Sequence, residues 1–117
     1  MKYIRIFFWC GVLFLHFSCS GKKEESWEVN RFDKKQIFSL AAPKNKTVNN
    51  ANIYVRGKFS GQVKMQRSEG YPIVEFSSDS IPQRFFYDFY GGDFQIILLP
   101  SSAKGKIELT IEIPYSY

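Results

Sequence analysis

The clearest pattern in the chain is a strict alternation of apolar and polar residues near its end. Between Ile107 and Ile113, isoleucine or leucine occupies every odd position, and glutamate or threonine occupies every even one. A period of two places one set of side chains on a dry face and the other in water, which is typical of a β-strand that covers a core. We expect Pro114 to end this strand, because proline cannot donate to a sheet ladder.

Shorter patterns of the same kind recur upstream, separated by turns rich in glycine, serine and proline. Strands are predicted over residues 27–32, 36–40, 53–59, 63–67, 71–77, 84–90 and 94–99. The run Ile96-Ile97-Leu98-Leu99 is apolar on both faces, so we expect that strand to lie in the centre of a sheet. Gly91-Gly92 predicts the tight turn before it.

Seven or eight short strands without an amphipathic helix predict an all-β protein. We expect a small antiparallel β-sandwich, jelly-roll-like, formed by residues 27–117 as a single domain. A small β-barrel is the alternative. The length of the chain, 117 residues, leaves room for one such domain.

The amino terminus has a different pattern. Lys2 and Arg5 precede a run from Ile6 to Phe17 that is apolar at nearly every position. Positive charge followed by a short apolar run is typical of a secretory signal peptide, to which we assign residues 1–18. The run of about 12 residues is shorter than the roughly 20 that a helix needs to cross a bilayer. Export is therefore favoured over a membrane-spanning helix.

The residues that follow carry a resemblance to a known class. Ser18-Cys19-Ser20 resembles the junction of bacterial lipoproteins, and Lys22-Lys23-Glu24-Glu25 is similar to the short charged export signal of lipoproteins of the Bacteroidetes type. The junction departs from the usual pattern at His16 and Phe17, where leucine and a small residue are more common.

This resemblance implies an address and an anchor. Cys19 would become the first mature residue and carry the acyl chains, residues 19–26 would form a solvated tether, and the protein would lie at the bacterial outer membrane or cell surface. Cleavage by ordinary signal peptidase after Ser20 is the alternative, because Ser18 and Ser20 are small residues at the positions which that enzyme reads. That cut would release a soluble carbohydrate- or ion-binding module.

Charge and composition exclude several classes of function. Removing residues 1–18 leaves 14 basic and 11 acidic residues, a net charge of +3, which does not indicate a nucleic-acid-binding protein. The single histidine, His16, is lost with the signal peptide, and Cys19 is the only cysteine that remains. Zinc sites and nucleophilic triads of the common kinds need those residue types. We therefore predict a non-enzymatic protein with no catalytic residues, no metal and no cofactor.

An acid pair is the remaining catalytic alternative. Four carboxylates in or beside predicted turns could form one: Glu69, Glu75, Asp88 and Asp93. A small hydrolase of this kind needs two of them to face each other across a cleft at roughly 5 to 10 Å.

The chain is rich in aromatic residues, and in the predicted strand 84–90 they occupy both faces. Phe85, Tyr87 and Phe89 are expected to enter the core, which leaves the alternate positions for solvent. We therefore predict a candidate binding patch composed of Tyr54, Arg56, Arg84, Phe86 and Tyr90. Rings beside charged groups suit the stacking of a glycan or contact with a protein partner. Burial of Phe86 and Tyr90 would contradict this hypothesis.

The stretch from Phe85 to Ile113 also carries a resemblance at the level of the fold. An aromatic strand, the Gly91-Gly92 turn and an alternating final strand resemble the closing hairpins of secreted accessory β-sandwich domains found beside bacterial peptidases and glycan-active enzymes. The resemblance implies a binding or structural accessory role at the cell envelope, with a protein or glycan partner and with the membrane reached through the acyl anchor.

Overall fold

The computed structural model describes residues 21–78 and 83–117. The predicted signal peptide, Cys19, Ser20 and part of the predicted loop before residue 84 lie outside the described residues. The described chain forms eight β-strands: β1 (Gly21–Val29), β2 (Gln36–Ala41), β3 (Asn50–Ser60), β4 (Gln62–Gln66), β5 (Ile73–Ser77), β6 (Gln83–Asp88), β7 (Asp93–Leu99) and β8 (Lys104–Tyr115).

The strands form two four-stranded sheets in which every ladder is antiparallel. The front sheet has the order β1-β8-β3-β6, and the back sheet has the order β2-β7-β4-β5. Consecutive strands lie in opposite sheets except for β4 and β5, so the chain crosses repeatedly between the two layers. This is the topology of a jelly roll, and the predicted antiparallel β-sandwich is confirmed. The apolar strand β7 lies between β2 and β4, as its sequence predicted.

The core lies between the two sheets and is dry. The four odd-numbered isoleucine and leucine residues from Ile107 to Ile113 are 0% exposed, and so are Phe94 and Ile96 of the facing sheet. Burying a side chain of this size contributes about 1.5–3 kcal/mol. Ring contacts extend the core towards one end, where Phe89 and Phe94 meet edge to face at 5.2 Å. Since no cysteine follows Cys19, the folded domain depends on this packing.

Strand β1 starts earlier than the sequence predicted. Residues 21–26, which we expected to be a solvated tether, form the first part of β1 and pair with β8 from Gly21↔Tyr115 onwards. The alternation of charged residues there gave no apolar face to recognise. The ladder with β8 nevertheless runs along the whole described length of β1 and satisfies the backbone groups that face β8.

Pro114 does not end β8, which continues to Tyr115. The ladder between β3 and β8 ends at Asn52↔Glu112, whereas the ladder between β1 and β8 reaches Tyr115. Beyond Glu112 the strand is therefore paired on one side only. Proline is tolerated where one side of a strand needs no donor, so the expectation that Pro114 stops the strand was wrong.

Strand β6 is shorter than predicted and ends at Asp88, so Phe89 and Tyr90 lie in the connection to β7. Gly92 in this connection has a φ of 81°, which glycine adopts without strain. Across residues 21–78 and 83–117, no helix is long and apolar enough to span a membrane.

Candidate binding face

The outer surface of the front sheet is built from the even-numbered positions of its four strands. The ladders pair even positions with even positions throughout, so these side chains share one side of the sheet. We call this surface the front face. Its central residues are Lys22, Glu24, Ser26 and Glu28 of β1, Glu108, Thr110 and Glu112 of β8, Asn52, Tyr54 and Arg56 of β3, and Arg84, Phe86 and Asp88 of β6.

The carboxylate of Glu112 is the centre of a hydrogen-bond network on the front face. Asn52 Nδ2 and the Tyr54 hydroxyl donate to Glu112 Oε1 at 3.1 and 3.3 Å. On the other side, Lys22 Nζ lies 3.4 Å from Glu112 Oε2. Donors from the two strands that flank β8 therefore hold one carboxylate, whose side chain is 13% exposed. Such charge-assisted bonds in a partly buried site fix the positions of their donors.

The network continues to the edge strand β6. Asn52 is 2% exposed, and its Oδ1 accepts a hydrogen bond of 3.3 Å from the Arg84 guanidinium. The same guanidinium lies 5.8 Å from the centre of the Tyr54 ring, within the range of a cation–π contact. Asn52 is thus a buried polar residue with both ends of its amide used, which is the arrangement a rigid polar site requires.

Phe86 is the apolar member of the front face. It is the register partner of Asn52 on β6, and it follows Arg84 on the same side of the sheet. The ring is 61% exposed, whereas its neighbours Phe85 and Tyr87 turn inward and pack against the core. An aromatic ring held in water on a paired strand, beside a fixed guanidinium, offers a flat apolar surface next to hydrogen-bond donors.

The charges on this face influence one another. Lys22 lies between two carboxylates, and its hydrogen bond with Glu112, followed by the charge of Glu24, raises the pKa of the Lys22 ammonium above its ordinary value. Both contacts favour the protonated form. At neutral pH the network therefore holds a fixed positive charge on β1 as well as those of Arg84 and Arg56.

A shallow hollow of about 390 Å³ crosses this face between β1 and β3. Its floor is β8, where Ser26 and Thr110 share a hydrogen bond of 2.7 Å between their hydroxyls. Along its rim, Arg56 Nε lies 3.9 Å from Glu108 Oε1. The hollow is open to solvent and lined largely by polar groups, so it suits a polar ligand that lies flat across the strands.

The structure divides the predicted patch. Tyr54, Arg56, Arg84 and Phe86 lie together on the front face, on the neighbouring strands β3 and β6. Tyr90 is 74% exposed but lies past the end of β6, in a hollow lined also by Lys44, Lys46 and other residues of the connection between β2 and β3. Phe86 and Tyr90, whose burial would have contradicted the predicted patch, are both exposed, but they lie on two separate surfaces.

Sequence reasoning missed the polar residues that organise this face. Glu112 was expected to be an ordinary solvated position, and Asn52 and Lys22 were not considered. The parity of β3 would have placed Asn52 beside Tyr54. The meeting of Asn52 with Glu112 depends on the pairing of β3 with β8 across 60 residues, which no local pattern encodes.

The candidate carboxylates lie on different parts of the sandwich, with Asp93 on the outer side of the back sheet at the start of β7. Glu75 lies on the outer side of the back sheet, since it pairs with Lys64 on β5 and β4, whereas Asp88 lies on the front face. Glu69 forms an ion pair with Lys35 at 3.4 Å. Among the described residues, no group of three or more histidine, cysteine, aspartate or glutamate side chains could hold a metal ion.

Comparison with known proteins identifies a shared fold. No family model and no curated protein matches the sequence. The structure is similar to a disulfide-linked pilus protein of Bacillus endospore appendages, with a TM-score of 0.50 and 12% identity over 83% of this chain and 88% of that one. It is also similar to a cupin domain of an XRE-family transcriptional regulator from Enterobacter cloacae, with a TM-score of 0.40 and 14% identity over 79% of each chain. A third similar structure is a cupin protein from Bacteroides fragilis, with a TM-score of 0.41 and 14% identity over 82% of this chain and 66% of that one. At such identities the likeness to the pilus protein concerns the β-sandwich fold alone.

Proposed function

We propose that this protein is a lipid-anchored lipoprotein of the bacterial envelope whose sandwich is a non-enzymatic binding module, with the front face as its binding surface. The observation that carries the binding role is Phe86. Its ring is 61% exposed on a paired strand, next to a hydrogen-bonded network that fixes Arg84 and Tyr54. An exposed ring gains free energy when a ligand removes it from water. Side chains that are already held in place lose less conformational entropy when the ligand binds.

The polar network supports recognition and contains no catalytic step. Glu112 receives three donors, so most of the roughly four acceptor positions of its carboxylate are used by Asn52, Tyr54 and Lys22. Its role in the proposal is to hold those side chains in place. Arg84 is exposed and uses one of its five guanidinium donors on Asn52, so further donors are proposed to serve a ligand.

These groups define the chemistry of the ligand. A ring face at Phe86, a guanidinium at Arg84 and a second guanidinium at Arg56 suit a flat molecule that carries hydroxyls and carboxylates. An acidic sugar fits this description, because its apolar face stacks on an aromatic ring and its carboxylate pairs with arginine. An acidic segment of an envelope protein is the other partner with this chemistry.

The start of the folded domain is compatible with both processing events. Strand β1 begins at Gly21, two residues after Cys19. A lipid on Cys19 would hold the sandwich at the membrane by a link of two residues. Cleavage after Ser20 would instead leave Gly21 as the amino terminus, so either processing event retains the described residues of β1.

Mass spectrometry of the mature amino terminus in the native host tests the anchor. We expect a tri- or diacylated Cys19 and recovery of the protein in the membrane fraction. An unmodified Gly21 terminus would replace the lipoprotein with the soluble module. A disulfide between two copies of Cys19, in place of the acyl chains, would contradict the anchor and indicate covalent assembly between copies of the chain.

A glycan array combined with a pull-down from envelope extracts tests the binding role. We expect Phe86→Ala to weaken the captured interaction by about tenfold, which corresponds to the loss of one aromatic contact of about 1.4 kcal/mol. Ile73→Ala is the matched control, because Ile73 is 54% exposed on the outer side of the back sheet. Equal effects of the two substitutions, or no captured ligand at all, would contradict the proposal.

A further inference from the structure

One end of the sandwich gathers the start of β1 and the end of β8. Gly21 is the register partner of Tyr115, and just beyond it Thr47 and Ser116 exchange two backbone hydrogen bonds of 2.8 and 3.0 Å. These bonds tie the connection between β2 and β3 to the last residues of the chain.

Two connections close the same end. Residues 42–49 join β2 to β3, and residues 89–92 join β6 to β7. The Ala42 amide donates to the Gly92 carbonyl at 2.8 Å, and the Phe89 amide donates to the Asn49 carbonyl at 3.3 Å. We call the surface formed by residues 21–23, 42–49, 89–92 and 114–117 the anchor end, because Gly21 is the described residue nearest to Cys19 in the chain.

The anchor end combines exposed aromatic rings with lysines. Tyr90 is 74% exposed and Tyr117 is 73% exposed. Lys46 Nζ lies 4.0 Å above the centre of the Tyr117 ring, and Lys44 is exposed nearby. A tyrosine with an apolar ring and a polar hydroxyl suits the headgroup region of a bilayer, and lysine suits anionic headgroups.

The charge balance of this surface is one-sided. The anchor end contains four lysines and no acidic residue. Lys22 is engaged by Glu112, and the Lys23 ammonium donates to the Ala41 carbonyl at 2.8 Å. Lys44 is exposed, and Lys46 is half-exposed with its ammonium over the Tyr117 ring. Two acids from the bordering strands offset part of this charge, because Asp93 lines the same hollow as Lys44 and Lys46, and Glu24 lies 3.6 Å from Lys22.

We propose that the anchor end docks onto an anionic bilayer surface, with Tyr90 and Tyr117 at the level of the headgroups and Lys44 and Lys46 against anionic lipids. This inference rests on the proposed acylation of Cys19. Two residues of extended chain reach about 7 Å, so an acylated Cys19 would keep Gly21 close to the headgroups. One acyl signal and one surface of this kind together hold a protein on a membrane more firmly than either alone.

Among the described residues, the connections at the opposite end of the sandwich carry basic residues but no exposed aromatic ring. These connections, residues 30–35 and 100–103, carry Arg31, Lys34 and Lys35, but their one aromatic ring, Phe32, is 4% exposed. The strands run from one end to the other, so docking at the anchor end leaves the front face turned sideways to the membrane. The binding surface would then be open to a partner in the envelope.

A fluorescence test in membranes uses the full chain, expressed in a host that acylates lipoproteins. Thr47→Cys places a thiol at the anchor end, and Ser102→Cys places one at the opposite end, both at exposed positions. The thiol label reports contact with a quencher carried on lipid headgroups, in vesicles of phosphatidylethanolamine and phosphatidylglycerol. We expect strong quenching at position 47 and little at position 102.

Charge and ring variants separate docking from simple proximity. Each lysine near an anionic surface raises the equilibrium constant for docking by about fivefold. Lys44→Gln with Lys46→Gln should therefore lower the ratio of docked to undocked protein, reported by the label at position 47, by about 25-fold. Lys34→Gln with Lys104→Gln makes the same change in net charge at the opposite end and should have no effect. Tyr90→Ser with Tyr117→Ser should also reduce quenching, whereas Phe86→Ser on the front face should not.

The outcomes distinguish the two proposals. Recovery of the protein outside the membrane fraction overturns the lipid anchor. In that case the same labelled proteins are added to the vesicles, and absence of quenching at position 47 overturns docking as well. Anchored protein whose quenching is the same in all variants, or unchanged when phosphatidylcholine replaces the anionic lipid, overturns docking while the anchor stands.

Discussion

The two outer faces of the sandwich are built on opposite principles. On the front face, Asn52, Tyr54 and Arg84 are joined through hydrogen bonds and a ring contact around Glu112. On the outer side of the back sheet, which we call the back face, Ile37 and Gln66 flank Ile97 in a row that ends at Ile73. Ile97 is 2% exposed although it points away from the core between the sheets.

This difference separates stability from recognition. Hydrogen bonds on the front face replace bonds to water, so each adds only about 0.5–1.5 kcal/mol, but together they fix the directions of the side chains. Burial of Ile97 removes apolar surface from water and is worth about 25 cal/mol per Å². We infer that the back face contributes mainly to folding, and that the front face contributes mainly to the geometry of a site.

The largest effect is expected from Ile97→Ala on the back face. Removing this covered side chain should lower the free energy of unfolding by about 2–4 kcal/mol, through lost burial and a partly unfilled space. Ile37→Ala removes the same atoms from a neighbour that is 54% exposed and should cost less than about 1 kcal/mol. Chemical denaturation of both variants makes the comparison. Similar losses would mean that the back face does not shelter Ile97 in the way its exposure indicates.

A smaller loss of stability, but a larger change in the site, is expected from Asn52→Ala on the front face. The substitution leaves Glu112 and Arg84 each without one partner and should cost about 1–3 kcal/mol in the free energy of unfolding. Asn50→Ala, two residues earlier on the same face, is the control. We expect Asn52→Ala to weaken ligand capture as much as Phe86→Ala does, because Arg84 loses its fixed direction. Unchanged capture would show that the network does not organise the site.

The sequence was sufficient for the sandwich because its strands carry their own signals. The alternation from Ile107 to Ile113 and the apolar run Ile96 to Leu99 place one strand with a dry and a wet face and another in the centre of a sheet. Prediction failed where long-range pairing replaced a local pattern. The charged start of β1 becomes a strand because its backbone pairs with β8. Pro114 is accepted in β8 because the ladder between β3 and β8 ends at Glu112, so that side of the strand needs no donor at Pro114.

The candidate site was predicted only in part, for the same reason. Alternation along β6 separated Phe86 and Arg84 from the rings that enter the core, and alternation along β3 placed Tyr54 among the outward positions. The structure pairs Tyr54 with Arg84. It could not show that β6 ends at Asp88, which removes Tyr90 from the face, or that Glu112 meets three partners from other parts of the chain. Periodicity reports which side of a strand is wet, whereas the network depends on which strands are neighbours.

The smallest predicted effect concerns the charge coupling across the front face. The hydrogen bond with Glu112, and next the charge of Glu24, raise the pKa of Lys22 above its ordinary 10.5. A raised lysine pKa stabilises the fold fully below the unfolded value, and that contribution is lost as the pH rises through the folded value. Glu112→Gln should therefore lower the pKa of Lys22 in an NMR titration and reduce the decline of stability above pH 10.5. Glu24→Gln should do the same to a lesser degree, and Glu28→Gln, which removes the partner of Lys106 instead, should not. If the glutamine at position 112 left the pKa of Lys22 unchanged, β1 would not belong to the network, and the network would reduce to Glu112 of β8 with its partners on β3 and β6.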